Sequence, residues 1–134
     1  MAIQKGNGVD VSMIAGGTIS KYDPVKIDTS VTTGGEVIRV TAETDIPYGI
    51  AQIDATEGQE VSVRINGVSK MRVGSGTVTV GNLVGIDATD KTEIDAITEA
   101  GAGVTLTWAY GVAEASGAEN AYVPVRLMMF RTTE

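Results

Sequence analysis

Apolar and polar residues alternate along most of this chain, with the two-residue period of strands that bury one face. The clearest run is Glu60-Val61-Ser62-Val63-Arg64-Ile65-Asn66, followed after Gly67 by Val68-Ser69-Lys70-Met71-Arg72-Val73. Alternation and turn residues together predict strands over 24–28, 36–41, 48–53, 60–66, 68–73, 77–80, 83–87, 92–97, 104–113 and 121–129. Asn66-Gly67 predicts a type I′ hairpin, because both residues tolerate positive φ. Ala88-Thr89-Asp90-Lys91 predicts a second turn. Residues 92–100 (TEIDAITEA) place Ile94 and Ile97 three apart, as a short helix would, but the neighbouring strands favour a strand there.

The stretch GTVTVGNLVGID, residues 76–87, has two readings. A phosphate-binding loop needs a lysine after its last glycine to reach the phosphates. Here Asn82 and Leu83 follow Gly81, and no good helix comes after them, so the stretch reads as strand, turn, strand.

The same stretch has a second copy. Asp23-Pro24-Val25-Lys26-Ile27-Asp28 resembles Asn82-Leu83-Val84-Gly85-Ile86-Asp87. Downstream, Pro47-Tyr48-Gly49-Ile50-Ala51 matches Ala109-Tyr110-Gly111-Val112-Ala113. Each then passes through an acidic turn containing glycine into a strand that ends in arginine: Val61-Ser62-Val63-Arg64 and Val123-Pro124-Val125-Arg126. These matches imply an internal repeat with a period of about 60 residues.

Residues 1–20 differ from the rest. Val9-Asp10-Val11-Ser12-Met13 alternates like a strand but is isolated by Gly6, Gly8, Gly16 and Gly17. One reading makes it an ordinary first strand of a barrel. The other makes residues 1–20 an extended arm that becomes a strand only on another subunit or partner, with 21–134 as the single β-rich domain.

Composition sharpens this picture. The 134 residues suffice for one domain, and Val (17), Thr (16) and Gly (17) dominate with only 3 prolines. The expected fold class is therefore all-β, a compact barrel with many tight turns. With 17 acidic against 10 basic residues the net charge is −7, which disfavours nucleic acid and anionic membranes as partners. No segment reads as a signal peptide or a membrane span, so a soluble chain made in the cytoplasm is expected.

The chain has neither histidine nor cysteine. Thiolate chemistry is excluded, the usual general base is missing, and the remaining carboxylates and lysines show no catalytic spacing, so no enzyme is expected. Asp87, Asp90, Glu93 and Asp95 lie close in sequence but lack the order of acids and glycine that a calcium loop needs. A solvated turn is the reading adopted, with no metal and no cofactor.

Taken in order over residues 20–127, these elements resemble the small capsid-cement, or head decoration, proteins of tailed bacteriophages. The resemblance rests on the turn-strand copies at 23–28 and 82–87 and on the Tyr-Gly-Ile/Val-Ala strands. It also rests on the Val-x-Val-Arg strands and the central Glu60–Val68 run. It implies a compact β-barrel or β-tulip subunit, commonly a homotrimer, on the outside of the expanded capsid. Such a subunit stabilises the shell by bridging major capsid protein subunits. The longer N-terminal segment and the Met-rich end, Leu127-Met128-Met129-Phe130, depart from the pattern.

Under that resemblance the candidate contacts with capsid or a neighbouring subunit are Ile3, Val9, Val11, Met13 and Ile14 of the arm, with Arg64, Arg126, Met128 and Phe130. The arginines occupy equivalent repeat positions and suit planar ion pairs across an interface, or else are exposed strand ends. The C-terminal run is apolar on both faces, which suits burial between subunits. Trp108, between Leu106 and Tyr110, belongs to core or interface. The alternative function is a β-rich virion or surface module that recognises a host glycan or receptor. That alternative is weakened by a total of six aromatics with no cluster among them.

Overall fold

The computed structural model describes residues 8–87, 89–97 and 106–133, and in them the chain is all-β. Its strands are β1 (Val9–Ala15), β2 (Pro24–Ile27), β3 (Glu36–Arg39), β4 (Gly49–Ala51), β5 (Glu60–Asn66), β6 (Val68–Val73), β7 (Leu83–Ile86), β8 (Glu93–Ala96), β9 (Leu106–Ala113) and β10 (Tyr122–Thr133).

The strands close into two barrels of identical topology. The first runs β1-β3-β2-β4-β5 and the second β10-β6-β8-β7-β9, each returning to its starting strand. Every pairing is antiparallel except β1 with β3 and β6 with β8. The registers coincide as well: Val25 faces Gly49 as Val84 faces Gly111, and Ile50 faces Arg64 as Val112 faces Arg126. Gly58 (φ 87°) and Asn120 (φ 69°) take left-handed conformations in matching turns, where their N–H groups donate to Ala15 O and Val73 O. The repeat read in the sequence is thus a duplicated barrel.

Alternation places Val61 and Val63 of β5 inside the first barrel with Ala15, Val25 and Val37. Met71, Val73, Val84, Ile94, Val123 and Val125 fill the second. Val40 and Ile50 of the first half belong to that second core, so apolar packing continues from one barrel to the other.

Four expectations need correction. Asn66-Gly67 is not a hairpin: β5 pairs with β1 and β4, β6 with β8 and β10, and Gly67 (φ 96°) alone turns the chain from one barrel into the next. A type I′ turn would need positive φ at Asn66 too, which it lacks. Residues 77–80 make a single bridge, Val78 to Gly117, before a turn. That turn is fixed by Thr79 N donating to Asn82 Oδ1 at 2.9 Å, so the alternation there is short of a strand. The segment Val9–Ala15 pairs within its own chain, between β5 and β3, so it is a barrel strand and not one formed on another subunit. Finally, β10 extends past the expected end to Thr133. Residues 93–96 are strand, as favoured, while Ile3, Ala88 and residues 98–105 lie outside the described residues.

Candidate contact surfaces

Strand β1 exposes apolar side chains near both of its ends. Val9 is 52% exposed and Ile14 36%. Val11 is half-buried, and Met13 packs against the first core. Asp10, directly opposite Arg64, meets it in a two-pronged ion pair, Nε–Oδ1 2.7 Å and Nη2–Oδ2 3.1 Å. Arg64 Nη1 also donates to the carbonyl of Val68 at 2.9 Å, which ties the end of the first barrel to the start of the second. Arg64 is therefore committed within its own chain. Its repeat partner Arg126 is more exposed and, among the described residues, holds only Glu114, at 3.1 Å.

The last strand carries the most distinctive surface. β10 lies against β6 only up to Arg126, and from Phe130 to Thr133 it pairs with β9 alone. A β-bulge between Leu127 and Phe130 marks the point where it leaves the barrel wall, as bulges at barrel rims do. The inner side chains, Leu127 and half-buried Met129, pack on the second core beside Trp108. The outer ones, Met128 (45%) and Phe130 (40%), are exposed. The run read as apolar on both faces is so: one face completes the core, and the other has no cover among the described residues.

The acidic segment folds differently from a solvated turn. Asp87 is buried, and its carboxylate accepts from the backbone N–H of Thr89 (2.6 Å), Asp90 (3.1 Å) and Ser75 (3.1 Å). Burial opposes its charge, but these donors and the proton of Asp95 outweigh burial and hold it well below the usual carboxylate range. Asp95 is pushed up to about 6, by burial first and then by its hydrogen bond to Asp87 and that group's charge. Asp90 and Glu93 pair with Arg72 at 3.6 and 3.2 Å. Among the described residues no three acids converge as a cation cage.

A family model for phage cement proteins matches residues 3–127. No curated protein matches the sequence. Among solved structures, the chain is similar to the head fiber gp8.5 N base of bacteriophage phi29. The identity is 15%, the coverage is 90% of this chain and 94% of that one, and the TM-score is 0.65. At that identity the likeness concerns the fold, and it extends over both barrels. The family match spans all but the ends of the chain, and it joins the duplicated turn-strands and Tyr-Gly motifs to a role as a component of the phage capsid: the chain belongs to the phage cement protein family.

Proposed function

We propose that the protein sits on the outside of a tailed-phage capsid as a homotrimer and bridges neighbouring major capsid protein subunits, reinforcing the expanded shell. The family match supports attachment to the capsid, and the observation that carries the contact is the outward face of the β9–β10 ribbon. Met128 and Phe130 are large apolar side chains on a two-stranded element whose inner face is anchored in the core. Exposed apolar residues on a fixed frame lose little conformational freedom on docking, which favours association. Val9 and Ile14 are exposed near opposite ends of β1 and on opposite faces of it, so they add only isolated apolar contacts. The role is structural, not catalytic, and the net charge of −7 makes nucleic acid and anionic membranes unfavourable partners.

The test is the double variant Met128→Asp, Phe130→Asp, measured by sedimentation and by imaging of decorated capsids. The expected result is a folded protein that has lost trimerisation and capsid occupancy. Full occupancy would move the contact off the ribbon. Specific binding on a glycan array without capsid binding would replace this reading with a host-recognition module.

A further inference from the structure

The duplicated barrel supplies its own internal control for separating side chains the fold needs from those it does not. Between the two barrels lies a polar cleft of about 250 Å³, whose lining includes Lys21, Tyr22, Arg39 and the carboxylate of Asp23 from the first half, with Arg72 and Tyr122 from the second. By register, the second barrel has Val80 in place of Lys21, Gly81 in place of Tyr22, Asn82 in place of Asp23, and Ala96 in place of Arg39. The second barrel builds the same turn and strand with a small or neutral set, so the barrel topology itself does not demand the charged set, although Tyr22 also packs against the second core.

Tyr22 shows this most clearly. It holds φ at 72°, where the equivalent Gly81 has 90°. A bulky residue in that conformation is strained in a way that glycine avoids. The turn keeps it there: Tyr22 N donates to Ala51 O at 2.7 Å, Lys21 N to Asp54 Oδ1 at 2.7 Å, and Ser20 N to Asp23 Oδ2 at 2.8 Å. Its ring meets Tyr122 with centroids 5.5 Å apart at 58°, which closes one end of the cleft.

The cations are only partly used. Arg39 engages Asp23 through Nε (2.5 Å) and Ser20 through Nη2 (2.9 Å), leaving Nη1 without a partner among the described residues. Arg72 spends Nε on Glu93 and Nη2 on Thr92 and Asp90, and its Nη1 is likewise unengaged. The Lys21 ammonium has no carboxylate partner among the described residues, and it lies 5.1 Å from the centroid of the Tyr22 ring. Three of the ten basic residues of an acidic protein thus line one small cleft, Arg39 and Arg72 held by their own ion pairs and Lys21 lying over the Tyr22 ring.

We propose that this cleft binds a carboxylate, the side chain of an aspartate or glutamate on a polypeptide partner. Guanidinium and ammonium donors with spare N–H groups fit that group. The volume falls below the ~300–1,000 Å³ of pockets that hold drug-sized ligands, so one acidic side chain suits it better than an oligosaccharide. The two tyrosine rings meet at a tilt of 58°, so they do not form a pair of parallel faces between which a sugar ring would be held. This site is separate from the β9–β10 ribbon and stands or falls independently of the capsid contact.

Titrating the isotopically labelled protein with acetyl-triglutamate amide, and following backbone amide signals, tests it without capsids. The expected shifts are at Lys21, Tyr22, Arg39, Arg72 and Tyr122, with none on adding acetyl-triglutamine amide, and with weakening as salt rises. Lys21 is exposed, so Lys21→Gln leaves the fold intact; it should weaken binding by about tenfold, and Lys21→Arg should restore it. No shift at the cleft, equal response to the glutamine peptide, or unchanged affinity in Lys21→Gln would overturn the proposal. So would occupation of the cleft by glucuronate or inorganic phosphate in preference to the peptide.

Discussion

Gly49 and Gly111 stand at the same point of the two barrels, each against the backbone carbonyl of the arginine that faces the next residue along its strand. A Cβ at Gly49 would lie 2.5 Å from Arg64 O, and one at Gly111 would overlap Arg126 O. Backbone in the middle of a closed sheet cannot swing aside as a flexible side chain would. Gly49→Ala and Gly111→Ala should each destabilise the protein by about 2–4 kcal/mol. Gly17→Ala, where a Cβ meets nothing within 4 Å, should stay within about 0.5 kcal/mol of the parent. Urea unfolding midpoints compare the three.

Asp95 and Asp87 should give the protein an acid-leaning stability. Asp95, raised from 3.8 to about 6, keeps a proton that the unfolded chain releases. Its contribution is therefore full below 3.8 and is lost as pH rises through 6. Glu93, raised by burial, acts in the same sense. Asp87, lowered from 3.8, acts oppositely: its contribution is present above 3.8 and is lost as pH falls below that value. Resistance to urea should fall between about pH 4 and about pH 6.5, a loss that owes nothing to histidine because the chain has none. In Asp95→Asn the amide donates at every pH, so the slope should flatten. At the upper pH the variant should gain about 1 kcal/mol, a modest figure because solvent screens part of the effect.

Tyr110 is buried in the second core, and its hydroxyl has no hydrogen-bond partner among the described residues. Burial, with the charge of Asp45 adding to it, drives the phenol well above its usual range. A polar group left unpaired in a core costs about 1–3 kcal/mol. Tyr110→Phe keeps the ring and removes the penalty, so calorimetry should show an unchanged or higher Tm. A clear fall in Tm would mean that the hydroxyl has a partner after all.

Deleting residues 2–16 removes β1, and with it the pairings to β5 and β3 that close the first barrel. Cooperative unfolding of the first half should disappear, and Val61, Val63 and Val37 should lose protection from hydrogen exchange. A deletion that leaves the amides of those residues protected would show that the barrel closes without its first strand.

The strands were legible where alternation was long and the repeat offered a second copy, as at Glu60–Asn66 and the Tyr-Gly strands. β1 was harder to read, because glycines on both sides of Val9–Ala15 suggest a free segment. Gly16 in fact sits tightly beside Ile38 and Asp28, where a side chain would not fit. Asn66-Gly67 misled because a local signal says nothing about which strands are partners. Asp87 and Asp95 read as solvated for the same reason: their encounter depends on the antiparallel register of β7 and β8, which spacing does not reveal. The cleft was visible as a mismatch inside the repeat, Lys21-Tyr22 against Val80-Gly81, once register fixed the alignment.

Each barrel draws all five of its strands from one uninterrupted half of the chain, β1–β5 and then β6–β10. Synthesis therefore delivers a complete set of pairing partners for the first barrel before the second has begun to emerge. Closing β1 against β5 still spans more than fifty residues, so this is a slow, high-contact-order event whose natural time is during translation. What the first half cannot finish alone is the burial of Val40 and Ile50, which become covered only by the core of its successor. The nascent first barrel is thus left with a small adhesive patch that the second barrel, arriving last, is positioned to cover.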